Sequence, residues 1–199
     1  MKIMIIGGTG TIGQAVAAEL GARHEIIIAG SKTGDIQLDI TSAASIAQAY
    51  QRIHALDAVV MTAGQVHFGE LVIMTEGQFY IGIQSKLMGQ VNVVLAGLQQ
   101  VNPHGSFTLT SGILNHDPIQ LGASAAMVNG AIEGFVKSAA IELPHHLRIN
   151  AVSPSILTES MDAYAEYFRG FKPVPAAIVA LAYAKSVEGA QTGQVYRVW

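Results

Sequence analysis

The chain of 199 residues contains no cysteine, which excludes a disulfide framework, a thiolate nucleophile and any cysteine-based zinc site, and accords with a reducing cytoplasm. Charge is scarce as well: Asp, Glu, Lys and Arg make up 13% of residues, about half the usual share. The 11 Lys and Arg are scattered singly and the net charge is −3, so there is no basic stripe to neutralise phosphates, and no nucleic-acid partner is expected. Long apolar runs are also missing. The first, Ile3 to Ile6, stops at Gly7 and Gly8, too short for a signal peptide, and none approaches the roughly 18 residues of a membrane span. A cytoplasmic protein without membrane contact is expected. Yet half the residues are hydrophobic and mean hydropathy is +0.38, so the apolar surface needs an outlet other than lipid.

What the sequence does contain is a regular alternation. Short β-branched runs are followed by longer Ala-rich segments of helical period, as βαβ units around a parallel sheet require. Seven strands are predicted, over Lys2 to Ile6, Glu25 to Ala29, Ile36 to Leu38, Ala58 to Met61, Ser106 to Thr110, Arg148 to Val152 and Gln194 to Val198. Their nearly continuous apolar character suits cover on both faces. Helices are predicted between them, over Thr11 to Leu20, Ala43 to Ile53, Glu76 to Val101, Ser124 to Leu143 and Ala176 to Val187, with Thr75 and Gln78 spaced as a capping box for the third. The expected fold class is α/β: a single doubly wound, Rossmann-like parallel sheet of about seven strands with helices on both faces. It would form one domain over 1–199, without linker, repeat or low-complexity tract.

Two helices carry more apolar surface than a sheet can cover. The segment 76–101 places Phe79, Leu87, Val91, Val94, Leu95 and Leu98 around most of its circumference. The segment 124–143 is crowded with Ala125, Ala126, Gly130, Ala131, Gly134 and Ala139, over which a second backbone can approach closely. A homodimer or homotetramer formed through these two helices would bury both faces and account for the low charge; a monomer with unusually apolar helices is the alternative.

Directly after the first predicted strand comes Gly7-Gly8-Thr9-Gly10-Thr11-Ile12-Gly13, leading into a helix. Glycines permit a tight strand-to-helix turn and let a diphosphate reach main-chain N–H groups at the helix start. Gly7, Thr9, Gly10, Thr11, Ile12 and Gly13 are therefore the candidate diphosphate contacts, against the alternative of a turn with no ligand. The second strand ends in Ala29-Gly30-Ser31-Lys32-Thr33, where a binder of NAD(H) usually places an acid for the ribose 2′-hydroxyl. The nearest carboxylate, Asp35, comes only after Gly34, whereas Ser31, Lys32 and Thr33 bring one cation and two hydroxyls. NADP(H) is therefore expected in preference to NAD(H), unless Lys32 is simply a solvated loop lysine.

Over essentially its whole length the sequence resembles the short-chain dehydrogenases/reductases. The glycine turn is similar to theirs, with two residues rather than three between the first two glycines. Leu38-Asp39-Ile40-Thr41 is similar to the family's short aspartate motif, which implies that Asp39 and Ile40 contact the adenine. Thr62-Ala63-Gly64 is similar to the segment beside the cofactor, implying roles for Ala63 and Gly64. Asn150-Ala151-Val152-Ser153-Pro154 resembles the segment that lines the nicotinamide, implying a role for Pro154, and Thr192-Gly193-Gln194-Val195 resembles the final strand. The resemblance implies a nicotinamide-dependent oxidoreductase acting on a small carbonyl or alcohol.

At the catalytic centre the pattern departs from the family. The resemblance puts Ser111 in the position of the serine that orients the substrate. It puts Ala125 where the family has its proton-transferring tyrosine and Asn129 where it has its lysine, and no tyrosine lies between Tyr80 and Tyr164 to restore one by a shift of register. Protonation of the alkoxide thereby loses a group worth about 10² to 10⁴ in rate. His116, five residues after Ser111, is a candidate substitute acid because imidazole titrates near neutrality, or else a solvent-facing loop histidine. Lys86 stands in the place of the family's helix asparagine, either reaching the ribose or site water or pairing with a carboxylate. Asn129 can bond a ribose hydroxyl but brings no positive charge. Tyr164, Tyr167 and Phe168 fall where the family has a mobile lid, or else form one apolar helix face. His145 and His146 point apart with no third ligand spaced to them, so no metal site is expected. Glu133 and Lys137 have the i,i+4 spacing of a helix salt bridge. Two readings follow: an NADP(H)-dependent oxidoreductase in which Ser111 orients the carbonyl and a group other than tyrosine supplies the proton, or a catalytically inactive NADP(H)-binding protein that regulates or scaffolds a partner. A methyltransferase with a similar glycine turn is disfavoured by the segments at 150–154 and 192–195.

Overall fold

Successive side chains of β1 (Lys2–Ile6) part to opposite faces of a sheet: Met4 and Ile6 enter one layer of core, Ile3 and Ile5 the other. Such a run is stable only where both faces are covered. In the computed structural model, which describes residues 1–199, β1 lies between β2 (Glu25–Gly30) and β4 (Leu56–Met61). With β3 (Ile36–Gln37), β5 (Val101–Thr110), β6 (Arg148–Pro154) and β7 (Val195–Val198), the strands form one sheet in the order β3-β2-β1-β4-β5-β6-β7. Every pairing is parallel. The helices are α1 (Thr11–Gly21), α2 (Ala43–Gln51), α3 (Glu76–Gly82), α4 (Met88–Gly97), α5 (Ala123–Ala139), α6 (Met161–Tyr164) and α7 (Ala176–Glu188). Val16 and Leu20 of α1 and Val179 and Tyr183 of α7 cover one face. Tyr50 of α2, Val93 and Val94 of α4 and Ile132 and Val136 of α5 cover the other. The doubly wound, seven-stranded α/β sheet expected from the apolar pattern is the one that forms. No helix is long and apolar enough to cross a membrane.

The long helix expected over 76–101 is divided. A π-helical turn, Ile83–Leu87, separates α3 from α4, and Val101 opens β5 rather than closing the helix. The capping box at its start is present: Gln78 N donates to Thr75 Oγ1 (3.4 Å) and Thr75 N to Gln78 Oε1 (2.8 Å). Strand β5 begins five residues before Ser106, through Pro103 and through His104 at φ +66°, and its register against β4 shifts between Leu56 and Ala58. Helix α5 stops at Ala139, short of Leu143, because the residue before Pro144 is disfavoured in helical conformation.

The junction of α4 with β5 is held by one buried side chain. Gln90, with no exposed surface, donates through Nε2 to the carbonyls of Lys86 (2.9 Å) and Thr110 (3.0 Å), and its Oε1 accepts from Thr110 N (2.8 Å). Truncation would leave the main-chain groups of Thr110 without partners at the sheet's end. Gln90→Ala should therefore destabilise the fold by about 2–4 kcal/mol, measured as a lowered midpoint in urea; a loss under about 1 kcal/mol would mean that water replaces the clamp.

Candidate active site

Strands β1 and β4 are neighbours whose following helices cross to opposite faces, which opens a crevice at their carboxyl ends. The glycine turn lies at its floor. Gly7 has φ +84°, and a Cβ there would lie 2.8 Å from Ala63 N; at Gly13 a Cβ would lie 2.2 Å from Gly7 O. Only glycine lets α1 descend this far onto β1. Gly10 caps α1 without a side-chain bond, and its N–H returns to Gly7 O (3.0 Å). The amides of Thr11, Ile12 and Gly13 have no main-chain acceptor, so the helix start presents free donors and the positive end of its dipole to the crevice.

A cavity of 580 Å³ extends from this turn. It is lined by Gly7, Thr9 and Gly10, by Ser31 and Lys32, by Asp39 and Ile40, and by Ala63 and Gly64, with Gln65 and Ser85 added to the residues expected from sequence. Asp39 accepts from Thr41 N (2.9 Å) and Thr41 Oγ1 (2.7 Å), which hold its carboxyl below the usual range. Asp35 does not line the cavity. Its Oδ2 accepts from Ile28 N (2.8 Å), and its own N–H donates to Ile28 O (2.8 Å). Lys32, exposed at the cavity's edge, has no carboxylate partner.

A second cavity, of 210 Å³ and mostly apolar, is lined by the residues that follow two of those lining the first: Val66 after Gln65 and Lys86 after Ser85. Ile12, Lys86, Asn129 and Pro154 line it, beside Ala125, Tyr164 and Phe168. Lys86 Nζ donates to Ser111 O (2.9 Å), and with no carboxylate nearby, burial pushes the amine down to about 8. Asn129 donates to Gly112 O (3.3 Å), but its Oδ1 has no partner, and neither has Ser155 Oγ. Both residues are more than nine-tenths buried. Orphaned polar atoms along a cavity wall are the groups that a polar ligand satisfies, and together with the free amides of α1 they fit an extended dinucleotide laid along the crevice.

Ser111 and His116 line neither cavity. This corrects the expectation that the serine hydroxyl faces a substrate with His116 beside it. Ser111 is 2% exposed and its Oγ donates to Glu133 Oε1 (3.3 Å); His116 Nε2 lies 2.9 Å from Glu133 Oε2. The carboxylate draws both side chains toward α5 and away from the crevice. Glu133 does not pair with Lys137, because it is buried and faces inward, where His116 is its hydrogen-bond partner. Its place was readable: it stands four residues after Asn129 and three before Val136, on the buried stripe of α5. Phe168 packs with Phe171 edge to face (5.3 Å) while Tyr164 and Tyr167 stay half exposed. The rings of His104 and His146 stack at 5.0 Å.

The family model described as enoyl-(acyl carrier protein) reductase matches residues 13–198. The chain belongs to the short-chain dehydrogenase/reductase family. Among solved structures, the protein lin1944 from Listeria innocua is 50% identical over the full length of both chains, with a TM-score of 0.99. A small-chain dehydrogenase solved in complex with NADPH is 28% identical over all of this chain and 96% of the other, at 0.88, and a further small-chain dehydrogenase is 29% identical over 100% and 95%, at 0.86. No curated protein matches the sequence. In this short-chain dehydrogenase/reductase the two cavities share the crevice that the family's oxidoreductase fold opens.

Lys86 gives the site a measurable signature. Because its folded value lies below the ordinary 10.5, the unfolded chain binds the additional proton between about pH 8 and 10.5, so unfolding free energy should rise with pH across that window. In Lys86→Met this contribution should vanish, seen as a flatter pH dependence in chemical denaturation. Parallel profiles for the two proteins would refute an enclosed ammonium.

Proposed function

We propose that the protein is an NADP(H)-dependent oxidoreductase that carries out hydride transfer to or from a small carbonyl or alcohol. The observation that carries this reading is the pairing of a polar cavity, with an anion-accepting helix start and an unpaired Lys32, and a small apolar cavity lined by the next residues of the same two segments, Val66 after Gln65 and Lys86 after Ser85. The NADPH complex of the small-chain dehydrogenase described above supports the same choice. Gly7, Thr9 and Gly10 with the amides of Thr11, Ile12 and Gly13 would hold the diphosphate. Ser31 and Lys32 would take the 2′-phosphate, Asp39 and Ile40 the adenine, Ala63 and Gly64 the adjoining ribose, and Asn129 and Pro154 the nicotinamide end. Bound there, the nicotinamide supplies or accepts the hydride. The chain's part is to exclude water with Ile12, Ile113 and Phe168, to orient the ligands, and to manage one proton. Ser111 contributes through its carbonyl, which fixes Lys86, while Glu133 keeps its hydroxyl and His116 tied to the loop at 112–116.

A second reading, a catalytically inactive NADP(H)-binding regulator or scaffold, is favoured by Ala125 and Asn129, which bring no titratable group to the cavity. Anaerobic incubation with NADPH and a panel of ketones and aldehydes separates the two: consumption of NADPH supports the enzyme, and binding without consumption supports the scaffold. Fluorescence titration should give tighter binding of NADPH than of NADH, and Lys32→Ala should weaken NADPH about tenfold, the loss of one charge-assisted contact, while leaving NADH within about twofold. Equal losses for both nucleotides would defeat the 2′-phosphate assignment.

We also propose a homodimer or homotetramer joined through α3, α4 and α5. Tyr80, Leu95 and Ile141 stand exposed on these helices and the turn that follows, at 45%, 55% and 87%. A groove of 340 Å³ between Leu95, Leu98, Phe135 and Leu143 gives a second copy a place to pack. Sedimentation should find an oligomer that Leu95→Glu reduces to monomer; a monomeric wild type at micromolar concentration would overturn it.

A further inference from the structure

Lys86 is the one charged residue among those lining the apolar cavity. Its position is set with unusual care. The π turn at 83–87 carries it, Gln90 takes up its carbonyl, and Ser111 O receives its ammonium. It forms no ion pair, although withdrawing an ammonium even partly from water without a counter-charge is costly. The other candidates for handling a proton are accounted for. Ala125 has none to give, and Ser111 Oγ and His116 are both bound to Glu133 outside the cavity. Tyr164 sits at the rim, 46% exposed, with no hydrogen bond to fix its hydroxyl. Asn129 and Ser155 line the same cavity but bring it no titratable group.

We propose, resting on the oxidoreductase reading above, that the Lys86 ammonium is the proton donor of this site, taking the place of a phenolic acid. When a carbonyl carbon gains a hydride, the C–O π pair moves to oxygen, and that oxygen needs one proton. An N–H bond of Lys86 breaks as the O–H bond forms, the ammonium becomes a neutral amine, and solvent water entering by the crevice reprotonates it. In the reverse direction the amine accepts the alcohol proton as hydride leaves carbon. Burial that lowers the amine toward neutrality makes it an effective acid at physiological pH, and Ser111 acts as a positioning residue through its main chain.

The first test needs no turnover. Trinitrophenylation of the cofactor-free protein over a range of pH, followed by peptide mapping, should label Lys86 with a midpoint near pH 8, well ahead of surface lysines; labelling of Lys86 only at the pH of ordinary lysines would overturn the proposal. The second uses variants. Lys86→Met should lower kcat by about 10²-fold or more while keeping its NADPH dissociation constant within about threefold, and small primary amines should restore rate in proportion to their acidity. Lys86→Arg, a second check on folding, should stay inactive because a guanidinium does not release its proton. A Lys86→Met variant of near-normal kcat overturns the assignment and leaves the oxidoreductase reading standing. A wild type that binds NADPH but reduces none of the carbonyl panel fells that reading, and the assignment with it.

Discussion

Thr110, the last residue of β5, is gripped from both sides of the sheet. Gln90 takes its amide and carbonyl from the α4 side, while its Oγ1 meets Met61 O and the hydroxyl of Tyr183 from α7. The next residue, Ser111, is buried and its amide donates to Val152 O of β6. Three strands and two helices therefore converge on one dipeptide, and whatever hangs from its carbonyl is placed with the rigidity of the sheet rather than of a loop. Lys86 hangs from it. Functional groups built on such anchors keep their geometry because their supports cannot move independently.

The cluster of Ser111, Glu133 and His116 shows why residue types alone do not define chemistry. A serine, a histidine and a carboxylate lie within hydrogen-bond reach, but the carboxylate is in the middle. Nucleophilic catalysis needs the imidazole between the other two, to take the hydroxyl proton. With the hydroxyl donating to Glu133, the cluster instead tethers the turn at 113–115 to α5, and the ring of Trp199 packs 5.7 Å from His116. Its work is structural: one buried carboxylate holds the buried Ser111 hydroxyl and the partly exposed His116 ring, and fixes the wall behind the apolar cavity.

Much of this was readable from local sequence. The strands announced themselves through β-branched runs, and the glycine turn through its position between Ile6 and the Ala-rich start of α1; both depend on neighbours a few residues apart. What escaped depends on residues far apart in the chain. The π turn lies between Gly82, which packs on Ser124 and Val128 of α5, and Gly89, which packs on Ile40. A helical period cannot reveal such pressure from both sides. The inward turn of Ser111 follows from Glu133, 22 residues away, whereas the i,i+4 spacing pointed to Lys137, a solvent-facing neighbour on the same helix. Local spacing lost to burial, because an inward carboxylate without His116 would keep only the Ser111 hydroxyl as partner.

Asp35 closes the loop after β2 on its own backbone, exchanging hydrogen bonds in both directions with Ile28. A carboxylate committed in this way is withdrawn from recognition: freeing it to meet a ribose would orphan the Ile28 amide and loosen the edge of the sheet. Coenzyme choice is thereby coupled to loop integrity. Drift toward the unphosphorylated dinucleotide would have to recruit a new acid at a position such as Ser31, since redeploying the existing one damages the scaffold that displays it.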